Sequence, residues 1–139
     1  MKIDLNKYVG KWYEIARIPA DFEPDMTNVV AEYSLLDNGN IQVVNSGYIN
    51  GEFREIVGFA KTTNRDDLLR VSFFPGIYSD YKILAIDVDY QLALIGGNNK
   101  NYLWILSRYP KIKKNIYDYF VNIAKEKGFN INKLEVTKY

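Results

Sequence analysis

Gly10-Lys11-Trp12-Tyr13-Glu14-Ile15-Ala16-Arg17 near one end of the chain and Tyr102-Leu103-Trp104-Ile105-Leu106-Ser107-Arg108-Tyr109-Pro110 near the other decide the fold. Each is a strand-length run rich in alternating, β-branched or aromatic residues and bounded by Gly or Pro. The arginine that closes the second run can lay its guanidinium over the indole of Trp12, a contact worth about 0.5–2 kcal/mol. That contact requires the first and last strands to be neighbours in space, so the sheet closes on itself.

Between these runs, strands are predicted at about 11–18, 28–36, 41–48, 53–62, 69–74, 81–88, 92–97 and 102–108, separated by polar or Gly/Pro turns. Asp37-Asn38-Gly39-Asn40 has the composition of a hairpin turn, with Gly where positive φ is favoured. Asn98-Asn99-Lys100-Asn101 and Pro75-Gly76 break the chain in the same way. Consecutive antiparallel strands leave two exposed edges unless the first pairs with the last, and closure removes that liability. The expected fold is all-β: an eight-stranded antiparallel up-and-down barrel, whose interior has room for one small ligand. From Pro110 to Lys127 the period changes, and Ile112, Ile116, Tyr119, Phe120 and Ile123 fall on one helical face. Pro110 suits the first turn of that helix and Gly128 its C-terminal cap. The helix is expected outside the sheet, with a short final strand within 133–137.

Every second turn of such a meander falls at the same end. Trp12, the 37–40 turn, the 63–67 link, the 87–91 turn and Arg108 share one end, which the Arg108–Trp12 stack closes. Gly10, Trp12, Glu14, Asp87, Asp89, Tyr90 and Arg108 are the expected closing residues. The links 19–27, 47–52 and 75–80, carrying Phe22, Ile77 and Tyr78, surround the opposite end as a mouth. Side chains alternate across a strand, so placing Trp12 inside sends Glu14 and Ala16 inside as well. The same phase lines the lumen with Val29, Ala31, Tyr33, Val43, Asn45, Arg54, Ile56, Gly58, Val71, Phe73, Tyr81, Ile83, Ala85, Leu94, Tyr102, Trp104 and Leu106.

That lining is apolar and aromatic. Ala31, Gly58 and Ala85 interleave with larger groups and leave space, as a ligand pocket requires. Asn45 and the hydroxyls of Tyr33, Tyr81 and Tyr102 are the groups expected to orient a ligand, which should be neutral or fatty-acid-like. Arg54 faces the mouth, where a solvated rim arginine is the favoured reading over a carboxylate receptor. Glu14 must be paired or protonated if buried, and a hydrogen bond from a tyrosine or the backbone near the plug is its expected partner.

Composition narrows the function from the other side. The 139 residues are 47% hydrophobic and 15% aromatic, as a single globular domain spanning 1–139 would be. Eighteen basic against seventeen acidic side chains leave a formal charge of +1, so no overall field draws the chain to nucleic acid. The chain contains no Cys and no His, which removes disulfides, thiolate chemistry, His-ligated metals and the usual Ser-His triad. No enzyme activity, cofactor or metal is expected. Asp87 and Asp89 share a face as a general acid–base pair does, but at the closed end they are read as turn residues accepting backbone N–H bonds. Asp21, Glu23 and Asp25 alternate as hard-cation ligands do, yet without a Ca²⁺-loop pattern they read as a solvated loop. Lys111, Lys113 and Lys114 offer a peripheral contact with anionic lipid heads, against which a solvated face is the favoured reading. No apolar run approaches the roughly 20 residues of a membrane span, and Met1 to Leu5 is no signal peptide.

Gly10-x-Trp12 with Tyr13-Glu14, Asp87-Val88-Asp89-Tyr90, and Arg108 after Trp104-Ile105-Leu106-Ser107 resemble, in order, the three motifs of the lipocalin family. Val71-Ser72-Phe73-Phe74, the stretch from Asp89-Tyr90 through Ala93-Leu94, and the 103–110 run are similar in particular to bacterial outer-membrane lipocalins and apolipoprotein D. The resemblance covers nearly the whole chain. It implies the barrel and a carrier or storage role for a fatty acid, lysophospholipid or similar lipid, as a monomer or weak dimer. It also implies export to the periplasm, outer membrane or exterior once a leader is removed; otherwise the chain reads as cytoplasmic. The chain departs from the bacterial group in lacking the lipid-acceptor Cys and from apolipoprotein D in lacking disulfides. The alternative function is a protein-interaction module that uses the mouth loops and has a filled lumen.

Overall fold

A computed structural model describes residues 1–19 and 26–139; Phe22, Asp21, Glu23 and Asp25 lie outside the described residues. A single helical turn, α1 (Leu5–Tyr8), precedes eight long strands: β1 (Gly10–Arg17), β2 (Thr27–Leu35), β3 (Ile41–Ile49), β4 (Glu52–Thr62), β5 (Leu68–Phe74), β6 (Ile77–Ile86), β7 (Leu92–Gly96) and β8 (Leu103–Ser107). Helix α2 (Lys114–Glu126), a 3₁₀ turn at Ile131–Lys133 and the two-residue β9 (Glu135–Val136) follow. Every strand pairs antiparallel with the next, and β1 pairs with both β8 and β2, so the eight-stranded barrel closes as expected. The closing strand is shared: Gly10 to Tyr13 face β2, whereas Ala16 and Arg17 lie between β8 and β9.

The sequence places most turns correctly. Gly39 has φ 86°, and Leu36 and Asn40 bond across the first hairpin at 2.8 Å. β6 starts four residues earlier than expected, at Ile77, because Pro75-Gly76 alone makes the turn and Phe74 pairs directly with Ile77. Helix α2 starts at Lys114 rather than Pro110, since the chain first has to leave the barrel base. Ser107 Oγ holds the amide of Tyr109 at 3.0 Å at that corner. Phe120 and Ala124 are buried on the α2 face that meets the sheet, while Tyr119 is 63% exposed, off that face. Gly128, at φ 91°, ends the helix, with its amide bonded to Lys125 O at 3.0 Å.

Two apolar layers result. The outer one joins α2 to the sheet through Ile15, Ala16, Ile18, Leu94, Leu103, Ile105, Phe120 and Phe129. The inner one lines the barrel and includes Tyr8, Trp12, Tyr33, Ile41, Val43, Leu69, Ile83, Ile95 and Leu106.

The base of the barrel is sealed by one side chain. Arg108 stands with its guanidinium carbon 3.7 Å from the Trp12 ring centroid. Its Nε donates to Tyr90 O at 3.0 Å, Nη1 to Lys11 O at 3.0 Å, and Nη2 to the carbonyls of Lys7, Tyr8 and Val9 at 2.9, 3.0 and 3.2 Å. The Trp12 indole donates to Tyr8 O at 2.7 Å. Burial lowers the guanidinium's pKa, and the Tyr8 and Asp87 side chains oppose that shift. Gly10 is required beside it: at φ 106° it sits where a Cβ would stand 3.3 Å from Arg108 Nη1. Asp87 Oδ1 accepts the amides of Gln91 and Leu92 at 2.7 and 2.8 Å, as expected of a turn residue. Asp89 differs: its backbone carbonyl, not its carboxylate, is the acceptor, taking Gln91 Nε2 at 3.0 Å. Tyr90 sits at φ 56° and offers its carbonyl to Arg108 and its hydroxyl oxygen to the Asp4 amide at 2.9 Å.

Arg108→Ala is expected to cost about 2–4 kcal/mol, from the lost stack and the carbonyls left without a donor. Arg108→Lys should recover less than half, because an ammonium cannot fork at once to α1, the start of β1 and the β6–β7 turn. Urea unfolding checks this through a lowered midpoint at unchanged slope.

Candidate functional site

The site is the inner face of the barrel, and register shows which residues reach it, because paired residues on neighbouring strands share a face. Trp12 pairs with Ala31, Ala31 with Asn45, and Asn45 with Ile56. One step nearer the base, Tyr33 pairs with Val43 and Val43 with Gly58. Val71, Phe73, Tyr81, Ile83, Trp104 and Leu106 belong to the same inner cluster. Val29 is in phase with Ala31, and the Cβ that Gly47 lacks would meet Val29 Cγ2 at 3.4 Å. Tyr102 stacks on Trp104 at 6.3 Å and is 39% exposed at the rim. Arg54 is in phase with Ile56 but its side chain is 61% exposed and bonded to Glu52 at 2.8 Å, the solvated rim arginine expected.

Two expected lining residues do not reach the lumen. A bulge between Ile83 and Ala85 reverses the phase of β6, so Ala85 turns outward beside Leu84 toward α2, and Ile86 faces in. Leu94 pairs with Ala85 and is buried in the same outer layer, while its neighbours Ala93 and Ile95 line the barrel. Gly58 does reach the interior, but Phe73 fills its space: a Cβ there would lie 2.6 Å from the Phe73 ring. Of the three small residues expected to leave room, Ala31 alone does so.

A second bulge, between Glu14 and Ala16, turns Ala16 outward against α2 and Arg17 inward, level with Trp104. Sequence phase put these two the other way round. The Glu14 carboxylate is buried, accepts the Thr137 hydroxyl at 2.9 Å and lies 3.6 Å from Arg17 Nε. A threonine and an arginine are thus among its partners. Tyr139 fastens the wall beside it: its hydroxyl lies 2.6 Å from the Glu14 carbonyl and 2.8 Å from that of Val29, sharing its one proton between them. Arg17 was legible only as a polar residue next to an expected strand end; nothing in its neighbours announces the bulge.

Below Ala31 lies a cluster of three phenols. Tyr8 and Tyr81 share a short hydrogen bond, and Tyr81 donates to Tyr33 at 2.9 Å. Their rings lie 5.6 to 6.4 Å apart. Tyr8 was not expected here, because it stands in α1 rather than on a strand. Burial raises the pKa of all three, that of Tyr33 to about 12, where the Tyr81 hydrogen bond lowers it and the Glu14 charge raises it.

Above these phenols the inner wall is incompletely covered. Ala31, Asn45, Val71, Phe73 and Trp104 face inward yet retain accessible surface, and inward-facing Ile56 is 43% exposed. Among the described residues no group of His, Cys, Asp or Glu is arranged to hold a metal ion. Among the described residues no helix is long and apolar enough to cross a membrane.

A closed up-and-down barrel with an arginine-sealed base, an outer helix and an open apolar interior defines a calyx for small ligands. The chain belongs to the lipocalin family, since the model of the lipocalin-like domain matches residues 3–139. It is 42% identical over 136 residues to the outer membrane lipoprotein Blc of Vibrio cholerae, covering 94% of this chain and 80% of that one. It is 35% identical over 145 residues to apolipoprotein D of Mus musculus, covering 96% and 76%. The solved structure of the major allergen Per a 4 from cockroaches superposes with a TM-score of 0.77 at 24% identity, covering 98% and 88%.

Raised phenol pKa values couple to stability with a definite sign. Native Tyr33 keeps its proton up to about pH 12, whereas in the unfolded chain it ionises near pH 10. Its contribution is fully present below about pH 10 and is lost as pH rises toward 12, a fall of about 2–3 kcal/mol. Denaturant midpoints measured from pH 9 upward should decline along that window, and less steeply in Tyr33→Phe.

Proposed function

We propose that the chain binds a small hydrophobic ligand, of the fatty acid or lysophospholipid class, inside the barrel and carries or stores it. The observation that carries this reading is the accessible surface retained by inward-facing apolar residues, which a filled barrel would have buried. Each methylene moved from water into such a lumen contributes about 0.8 kcal/mol, so an acyl chain binds through its length without any special contact. Ordering the chain and the rim loops offsets part of that gain.

The polar groups have separate places. Tyr102 and Arg54 stand at the rim, Arg17 and Glu14 compensate each other on the inner wall, and the phenols form the floor. Phe74 and Ile77 at the 74–77 hairpin tip, 63% and 65% exposed, give the mouth an apolar lip for a ligand arriving from a membrane or another carrier.

Titration with hexadecanoic acid, a lysophospholipid and a naphthalene-type hydrophobic probe tests the reading. Trp104 emission should shift and the thermal midpoint should rise with at least one of them, as mass action requires of a ligand that binds only the native state. Ala31→Trp, which fills the space left beside Asn45, should abolish the response while the barrel still melts cooperatively. Silence from wild type with all three ligands would instead support an interaction module with a filled lumen.

A further inference from the structure

Building on the ligand-binding reading, we infer that the Tyr33 hydroxyl and the Asn45 carboxamide form a subsite at the floor of the lumen for an uncharged oxygen acceptor: a ligand hydroxyl, aldehyde or ester carbonyl, and not a carboxylate.

Proton counting gives the first half of the argument. Each phenol has one proton and can accept as well. Tyr81 spends its proton on Tyr33, so in the Tyr8–Tyr81 bond the donor is Tyr8. The chain of donors thus runs from Tyr8 at the sealed base through Tyr81 to Tyr33, and successive bonds in such a chain polarise one another. Tyr33, only 6% exposed, accepts a bond from Tyr81 and keeps its own proton to give: among the described residues nothing accepts it. A buried donor left in this state costs free energy that a ligand acceptor would recover.

Position gives the second half. Asn45 pairs with Ala31 and Val43 pairs with Tyr33, so Asn45 is the diagonal neighbour of Tyr33 on the mouth side. Diagonal inward side chains of this kind lie within reach of a common partner. The Asn45 carboxamide retains accessible surface and also has no hydrogen-bond partner among the described residues. Between them stands Ala31, whose short side chain leaves the approach open. Two unpaired donors therefore converge where a ligand's deep end arrives.

Charge selects among acceptors. A ligand carboxylate brought down to this buried floor would lose its water without gaining a charged partner, a cost that a neutral oxygen does not carry. The inward arginine of the upper wall, Arg17, is itself set against Glu14. The guanidinium beneath the phenols, Arg108, gives its N–H groups to backbone carbonyls, so the subsite itself offers neutral donors, the combination that prefers a neutral oxygen to an anion.

Dodecanol, methyl dodecanoate and dodecanoic acid, displacing a bound naphthalene-type probe, read this out at about pH 8, where the acid is ionised. Wild type should bind the alcohol or the ester at least about fivefold more tightly than the acid, and Tyr33→Phe should reduce that ratio to about one to two. Asn45→Leu, which leaves the phenol chain intact, should lower the alcohol's affinity about threefold or more and leave the acid's unchanged. Equal or tighter binding of the acid by wild type, or an unchanged ratio in both variants, overturns the subsite and leaves ligand binding standing. A probe that does not bind wild type at all overturns both.

Discussion

The Arg108 guanidinium is the joint on which the barrel depends. It stacks on Trp12 and forks to carbonyls of Lys7, Tyr8, Val9, Lys11 and Tyr90, so one side chain ties the end of β8 to the start of β1, to α1 and to the β6–β7 turn. Arg108 is 97 to 101 residues from its partners in α1 and at the start of β1, and 18 from Tyr90. Without that tie, the orphan carbonyls of α1 would need water, and water at the base would make the barrel a tube open at both ends. With it, the base of the lumen is closed.

A sealed floor changes what polar groups inside can do. In a wet channel the phenols of Tyr8, Tyr81 and Tyr33 would trade protons with solvent; in this base they hold a one-way chain of hydrogen bonds. The buried charges are handled differently. Glu14 lies against Arg17 and Thr137, higher on the wall, where β9 and Tyr139 cover the gap that opens as β1 leaves β2 for β8. Neutral groups below and compensated charges above give the lumen a polarity gradient along its axis.

The barrel, its closure and the outer helix were legible because they depend on period and turn chemistry, which Asp37-Asn38-Gly39-Asn40, Pro75-Gly76 and the Ile116/Phe120/Ile123 spacing display openly. Trp12 and Arg108 were legible because a guanidinium and an indole at the two ends of a closing sheet have one efficient arrangement. The lining was legible only while phase was preserved. Two bulges, at Ile15 and Leu84, each reverse it, which sends Ala16 and Ala85 to the helix side and brings Arg17 into the lumen; Leu94 faces the helix without a bulge, because it pairs with the outward Ile105 in an unbroken β7–β8 ladder. Bulges have no strong local signature in runs as uniformly apolar as Ile83-Leu84-Ala85-Ile86. Tyr8 was missed for another reason: it reaches the core from a one-turn helix that periodicity cannot detect. The family likeness adds the motif positions but says nothing about these bulges or the phenol chain.

The central claim is a hollow interior, closed at the base and entered from the rim. A crystal structure with dodecanol carrying a bromine at its far end tests it most directly, since anomalous scattering locates the bromine independently of side-chain density. The account predicts a single bromine peak inside the barrel beside Trp104, with the hydroxyl end running down toward Tyr33. A peak on the outer wall near Phe53 and Phe59, or an interior occupied by the protein's own side chains, would contradict it.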